Sequence, residues 1–522
     1  MNRRLLPNVL LAGLLAFLVL GLVPPLFQLA VSVVSDADGL TSALTGYNVR
    51  ACLNTLWLGA SVSIVATVLG FVVAFAIVGT YALGRPALKA LFLAPLFAPS
   101  IMPAIGLIYL IGSNGLILNT DWYGALGVFL GGLIFALPHA TLQILVSLNT
   151  LDTRTIDAAR SLGAGNFRRF MTVIAPHCRR GILNAILVTF VLTITDFGVP
   201  KLLGGSFPVL ATEIYAQAIG SQNFAVAAFL SVWLLVPALL AFYFSNKLTQ
   251  KGGAGASSLF VIRPNRFRDQ IFTVLAWLIV GFEVSTIAVV IYGSFVTFWP
   301  YEMQLTLDNY LFRNSTYGVA PWIHSLELAF GVAVIGTVLS FVGSYLTVRV
   351  RTIHPQLVRL YQILTTLPLC IPGTVLGLGF ALSFSGFSLF KGPFGSIAFL
   401  ILNTLIHLYT VAHLTSSQTM AQINAQYETV GRSLGVGTLT TIRRVILPLS
   451  SFGMREVFCY LFASAMTTIS AVVFLYTADS IVAAVAAIDM IDSGFISEGA
   501  AMSTLIFASA LTVRLIALKL KK

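Results

Sequence analysis

Apolar runs of about 20 residues or more recur from one end of this 522-residue chain to the other, and a run of that length crosses a ~30 Å hydrocarbon layer as a helix. The charge content agrees. Only 9% of residues are charged, against roughly 25% in soluble domains, and mean hydropathy is +0.93. The sequence therefore predicts an all-α integral membrane protein. Runs bounded by charged, Gly/Pro or Asn/Asp-containing segments place twelve transmembrane helices at 5–34, 53–80, 89–111, 124–149, 180–199 and 225–245, then 271–298, 325–348, 360–386, 394–414, 457–476 and 500–518. Arg3-Arg4 precede the first, which is longer than the ~7–15-residue apolar region of a cleaved signal, so it reads as an uncleaved span.

Charge placement orients these helices. With the N-terminus in the cytoplasm and sides alternating, only Arg50, Lys201, Arg313 and Lys391 of the 30 Lys and Arg residues fall outside. Basic residues mark the cytoplasmic side, so both termini are expected there. The net charge of +12 comes from this topology and not from a basic surface interleaved with stacking aromatics, so nucleic acid is not an expected partner; the lipid bilayer is. Cys52, Cys178, Cys370 and Cys459 are scattered, with neither CxxC nor Cys/His ligand spacing, and read as small apolar filler. The six histidines show no metal spacing; His407 and His413, six apart, fall on different helix faces.

The chain repeats itself. Ala66-Thr67-Val68-Leu69-Gly70-Phe71-Val72 returns as Gly336-Thr337-Val338-Leu339-Ser340-Phe341-Val342, and Pro95, Pro99 and Gly106 return as Pro368, Pro372 and Gly379. Ser161-Leu162-Gly163 and Pro176 return as Ser433-Leu434-Gly435 and Pro448. The expected organisation is a first half at 1–245, a flexible basic cytoplasmic linker at 246–270 and a second half at 271–522. Six helices per half is an even number, so the halves share one orientation about an axis along the membrane normal, and a route can run between them.

Two cytoplasmic loops stand out. After the fourth span comes Thr155-Ile156-Asp157-Ala158-Ala159-Arg160-Ser161-Leu162-Gly163-Ala164-Gly165, running on to Pro176; after the tenth comes Tyr427-Glu428-Thr429-Val430-Gly431-Arg432-Ser433-Leu434-Gly435-Val436-Gly437, running on to Pro448. Each reads as an amphipathic helix, a glycine turn, then a second helix ending at a proline. Such an elbow, present in both halves, suits a surface pushed by a partner; the plainer use is an interfacial helix lying on the bilayer.

These loops resemble the E-A-A-x3-G-x9-I-x-L-P loop of ATP-binding-cassette importer permeases. The first matches at Asp157-Ala158-Ala159, Gly163, Val173 and Pro176; the second at Gly435, Val445, Leu447 and Pro448, with Glu428 one residue early and Gly431 in the third place of the motif. The resemblance implies docking on two ATPase subunits, which would hold ATP and Mg, and an extracytoplasmic substrate-binding protein, in a bacterial inner membrane. The chain has no G-x-x-x-x-G-K-[ST] phosphate loop and no cofactor is expected in it, so it is read as a transport subunit and not an enzyme.

Among fused two-half permeases, three stretches look most like the 2-aminoethylphosphonate group: Thr195-Asp196-Phe197-Gly198-Val199-Pro200-Lys201 with Leu210-Ala211-Thr212-Glu213-Ile214-Tyr215, Phe298-Trp299-Pro300-Tyr301, and Ser470-Ala471-Val472-Val473-Phe474-Leu475-Tyr476. Ferric iron permeases are close relatives of that group, and ferric iron is the alternative cargo. Thr193, Thr195 and Asp196 at the end of the fifth span, with Thr467, Thr468 and Ser470 on the eleventh, are candidates for a polar path; the plainer role of such hydroxyls is helix packing. Glu283 is the one acid well inside a span, where a charge costs ~2.5–3.5 kcal/mol, and joins the path candidates. An ion-coupled secondary transporter would need further buried acids, and a membrane enzyme would need a convergent catalytic cluster. Neither pattern is visible.

Overall fold

The computed structural model describes residues 5–35, 41, 43–118, 120–249, 264–385 and 393–520. Most of the linker at 246–270 therefore lies outside the described residues. Ten described helices are long and apolar enough to cross a membrane, and counting each of two bent pairs as one span gives twelve.

The first half contains α1 (Leu5–Ser35), α2 (Gly46–Gly79), α3 (Arg85–Leu93), α4 (Ile101–Ile111), α5 (Ala125–Asn149), α6 (Thr153–Ser161), α7 (Asn166–Arg169), α8 (Ala175–Thr195), α9 (Gly198–Leu203), α10 (Leu210–Tyr215) and α11 (Phe224–Thr249). The second half contains α12 (Arg266–Ser294), a hairpin β1 (Val296–Phe298) and β2 (Glu302–Leu305), α13 (Ala320–Arg349), α14 (Pro355–Thr366) and α15 (Gly373–Phe384). It continues with α16 (Ile397–Gln422), α17 (Gln426–Ser433), α18 (Thr438–Thr441), α19 (Leu447–Met466), α20 (Ala483–Asp492) and α21 (Ile496–Lys519). Helix starts carry local signals: Thr45, Asn265 and Ser396 cap α2, α12 and α16 by accepting from the N–H of Asn48, Arg268 and Phe399.

Within each half three spans pack together, α2 with α5 and α8, and α13 with α16 and α19. The first helix of each half packs on the other half: α1 against α14 and α15, and α12 against α3 and α4. Glycine makes both crossings close. A Cβ on Gly106 would sit 2.3 Å from the Thr286 carbonyl oxygen, and one on Gly379 would sit 2.8 Å from that of Pro25. Backbone cannot yield as a side chain can, so Gly106→Ala is expected to destabilise the protein by about 1–3 kcal/mol, as overpacking does. Thermal unfolding in detergent checks this.

Several expected spans change form. Those at 89–111 and 360–386 are not straight: α3 and α14 each pass through a 3-10 turn and meet α4 and α15 at 109°. Pro99 and Pro372 cause the break. Proline has no N–H for the helical bond and drives the preceding residue out of the helical region; Ala98 and Ile371 accordingly have ψ of 141° and 117°. The span expected at 271–298 stops at Ser294, and 296–298 is a strand. Those expected at 180–199 and 457–476 start earlier and end at Thr195 and Met466. The helix expected to stop at a proline instead runs on. In both halves a π-turn, Phe170–Ile174 or Ile442–Ile446, precedes Pro176 or Pro448. Its wider bonds, Ala175 N–H to the Phe170 carbonyl and Leu447 N–H to that of Ile442, relieve the clash proline makes in a regular helix.

Candidate functional site: paired elbows and the seam between the halves

The two elbows are built alike. α6 and α17 each end at a left-handed glycine, Gly163 (φ +76°) and Gly435 (φ +70°). The N–H groups of Gly163 and Ala164 bond the carbonyls of Arg160 and Ala159, and those of Gly435 and Val436 bond the carbonyls of Arg432 and Gly431. This is the Schellman closure that glycine makes easy. The turn then throws apolar side chains outward at matching places: Leu162 and Phe167 are 86% and 74% exposed, Leu434 and Leu439 74% and 79%. Asp157 and Ala158 are exposed beside them, and Ala159 is half-buried. Four large apolar groups are thus exposed at the tips of the two elbows, and exposed apolar surface of this kind suits contact with a partner or a bilayer.

A Cβ on Gly163 or Gly435 would meet nothing within 4 Å, so these glycines are needed for backbone conformation alone. Replacing either by valine costs roughly 1–2 kcal/mol for the left-handed residue. Gly163→Val with Gly435→Val is therefore expected to cost about 2–4 kcal/mol in all and to leave a folded protein, which thermal unfolding in detergent checks.

The elbows differ beneath the tips. Glu428 is not the surface counterpart of Asp157; it turns inward to Arg349 at the end of α13, with N···O distances of 3.0 and 3.1 Å. The same guanidinium bonds the carbonyls of Ile423 and Asn424. At the repeat spacing that relates Leu162 to Leu434, Glu428 corresponds to Ile156, an apolar residue packed on the core. Gly431 lets its helix approach Thr441, whose hydroxyl would be 3.0 Å from an added Cβ.

The residues expected on a path fall into two groups. Thr193, Thr195 and Thr467 bond back to the carbonyls of Thr189, Val191 and Ala463 at 2.8, 2.9 and 3.0 Å, so their hydroxyls are engaged within their own helix. Asp196, Thr468 and Ser470 stand beyond the helix ends, in turns on either side of the seam. The Asp196 carboxylate accepts the Val199 N–H at 2.9 Å and sits beside the Ser100 hydroxyl. A Cβ on Gly198 would lie 2.6 Å from Ser100 Oγ and 3.3 Å from Ile469 of the other half. Glu283 is apart from both groups, 1% exposed, on the stretch of α12 that packs against the first half.

The seam is closed at the end away from the elbows. Lys201 pairs with Asp492 across the halves at 2.7 Å, and Tyr215, which packs on Phe197 of its own half at a centroid distance of 5.2 Å, meets Phe474 of the other half at 6.0 Å, both in tilted geometry. The ion pair is partly exposed, 33% and 43%, and pairs of that kind are worth about 0–1 kcal/mol, so it adds little to this closure. Sequence reasoning missed it. The one available signal was Lys201 itself, a basic residue on the side where few stand. It also missed α20, whose alanines are buried although acids flank the segment.

Comparison with known proteins fits this geometry. The family described as binding-protein-dependent transport system inner membrane component matches residues 66–251. A ferric transport system permease of Actinobacillus pleuropneumoniae is 28% identical over 477 residues, covering 86% of this chain and 68% of the relative. A ferric transport system permease of Haemophilus influenzae is 27% identical over 83% of this chain and 71% of the relative. A thiamine transport system permease of Brucella abortus is 23% identical over 63% and 62%. Residues 66–251 thus match that transport component, and along most of its length the chain is similar to permease proteins of such transport systems.

Proposed function

We propose that this chain supplies both membrane halves of an ATP-driven importer, taking cargo from an extracytoplasmic substrate-binding protein and releasing it into the cytoplasm. The observation that carries the proposal is the duplication of the elbow down to its glycine, its π-turn and its exposed apolar tip. Two tips accept two ATPase subunits, one each, and these hold ATP and Mg. The elbows and both termini face the cytoplasm of a bacterial inner membrane.

The cycle follows from the packing. Closure of the ATPase pair draws the elbows together, and the helical runs Asn166–Thr195 and Thr438–Met466 carry that motion to Asp196 and Thr468 at their far ends. The contact between Lys201 and Asp492 then parts, cargo enters between the halves, and hydrolysis restores the closed seam. The permease does no chemistry of its own.

Ferric iron is the cargo we put first, because relatives named for ferric transport align over 86% and 83% of the chain. The second reading is 2-aminoethylphosphonate, favoured by the three stretches quoted above, two of which flank the seam. ATP hydrolysis by the reconstituted complex, recorded with each cargo and its binding protein, separates the two. Stimulation by iron alone supports the first reading, stimulation by the phosphonate alone replaces it with the second, and stimulation by neither overturns both.

A further inference from the structure

One side of α12 is buried in the protein, with Glu283, Thr286 and Val290 among its residues. On the other side Val274, Leu278, Phe282, Ser285, Ala288 and Tyr292, three or four apart, are exposed or half-exposed. In a helix that crosses a bilayer such a stripe faces lipid. α12 has 29 residues, about 43 Å at 1.5 Å per residue, whereas about 20 residues cross the hydrocarbon core. Its charged first turn, with Arg266, Arg268 and Asp269, takes up one boundary. Tyr292 and the helix end at Ser294 therefore lie at the level of the opposite headgroups.

At that level the chain turns into the hairpin β1–β2, which is firmly held. The buried Trp299 donates from Nε1 to the Asn114 carbonyl, just past α4, at 3.2 Å. Its ring lies 4.5 Å from that of Tyr109 on α4 and 6.4 Å from that of Tyr292, centroid to centroid. Asn309 donates to the carbonyls of Ser294 and Val296 at 3.0 and 2.8 Å. The hairpin nevertheless leaves Phe298, Tyr301 and Leu305 57%, 73% and 72% exposed, with the rings of Phe298 and Tyr301 stacked at 5.7 Å. Strand alternation separates its faces. Leu305 pairs with Val296 and so shares a face with Phe298, while the exposed Thr297 and Gln304 occupy the polar face. Trp299 joins the apolar face to Tyr292, so the exposed groups continue the lipid-facing stripe of α12. Aromatic side chains beside the end of a span belong at the headgroup boundary, where their rings meet the acyl chains.

We propose that the hairpin is a membrane-interface anchor, with Phe298, Tyr301 and Leu305 seated at the boundary between headgroups and acyl chains on the side away from the elbows. Its occupant is the bilayer itself. Trp299 ties the anchor to α4, so the first half is held at the same boundary as the end of α12. The anchor needs neither cargo nor ATPase, and it and the importer reading can fail separately.

The test uses the full chain in nanodiscs of phosphatidylethanolamine and phosphatidylglycerol, without partner subunits. Tyr301→Cys, Leu305→Cys and Gln304→Cys are each labelled with bimane, and the unsubstituted chain taken through the same labelling gives the background from its native cysteines. All three positions are exposed, so the substitutions leave the fold intact. Quenching by a lipid carrying a nitroxide near the top of its acyl chain is compared with quenching by iodide in the water. Bimane at 301 and 305 is expected to be quenched by the nitroxide lipid about threefold or more above the level at 304, and by iodide about threefold or more below it. Iodide quenching without lipid quenching at 301 and 305 overturns the anchor and leaves the hairpin in water, as a surface for a soluble partner. Equal lipid quenching at all three positions also overturns it, because the apolar face would then have no special place in the boundary.

Discussion

Leu162→Asp combined with Leu434→Asp is expected to strip the ATPase subunits from the chain and abolish ATP-driven uptake, while leaving its thermal unfolding almost unchanged. Both leucines point away from the protein, with 86% and 74% of their surface exposed, and substitutions at such places shift stability by about 0.5 kcal/mol or less. A central apolar contact in an interface is worth about 2 kcal/mol or more, and a buried aspartate without a partner adds a desolvation cost. Each elbow should therefore lose its subunit affinity by at least ~30-fold, given about 1.4 kcal/mol per tenfold. Either single variant is expected to keep one subunit, since each tip is complete in itself. Co-purification with the ATPase, read beside the melting curve, checks both parts. Loss of binding together with loss of fold would assign the leucines to packing instead.

Arg349→Leu is expected to cause the largest loss of stability, and to act on one elbow only. Its guanidinium meets the Glu428 carboxylate with side chains only 5% and 11% exposed, and it also holds the carbonyls of Ile423 and Asn424. Removing one member of a buried pair strands the other charge, at a cost of about 3–5 kcal/mol. Replacing both by leucine removes the stranded charge, so Arg349→Leu with Glu428→Leu should recover much of the loss, and unfolding of the two variants measures the difference. The double variant is expected to couple ATP hydrolysis to uptake poorly even where it folds well, because the pair ties the end of α13 to the start of α17. The first elbow rests on Ile156 instead and should be indifferent. Equal disturbance of both elbows would show that the pair stabilises the bundle as a whole.

The spans, the repeat and the elbows were legible in the sequence because each depends on a local property. Hydropathy marks a span wherever it lies, and a glycine such as Gly163 announces a left-handed turn that few other residues reach. The bends at Pro99 and Pro372 were present as letters, but hydropathy averages over a bend and reports one apolar run. The continuation of the helix through Pro176 and Pro448 was not legible, since a π-turn leaves no compositional mark. Glu428 stands one residue early for the motif, and the repeat spacing that sets it on Ile156 says nothing of the buried ion pair it makes. The seam is the least legible part: Lys201 and Asp492 lie far apart in sequence, and Asn403 meets Ala471 only because α16 packs against the turn that follows α19. These contacts come from tertiary packing, and no window of sequence contains them.

In the function proposed, one chain supplies both docking elbows of an importer. Native mass spectrometry of the tagged chain, extracted from its own membranes in mild detergent, tests it most directly. The expected composition is one copy of this chain with two copies of an ATPase subunit, reduced to one copy by Leu162→Asp or Leu434→Asp alone and to none by both together. A chain that carries no ATPase in the wild type, or whose ATPase count ignores these two leucines, would contradict it.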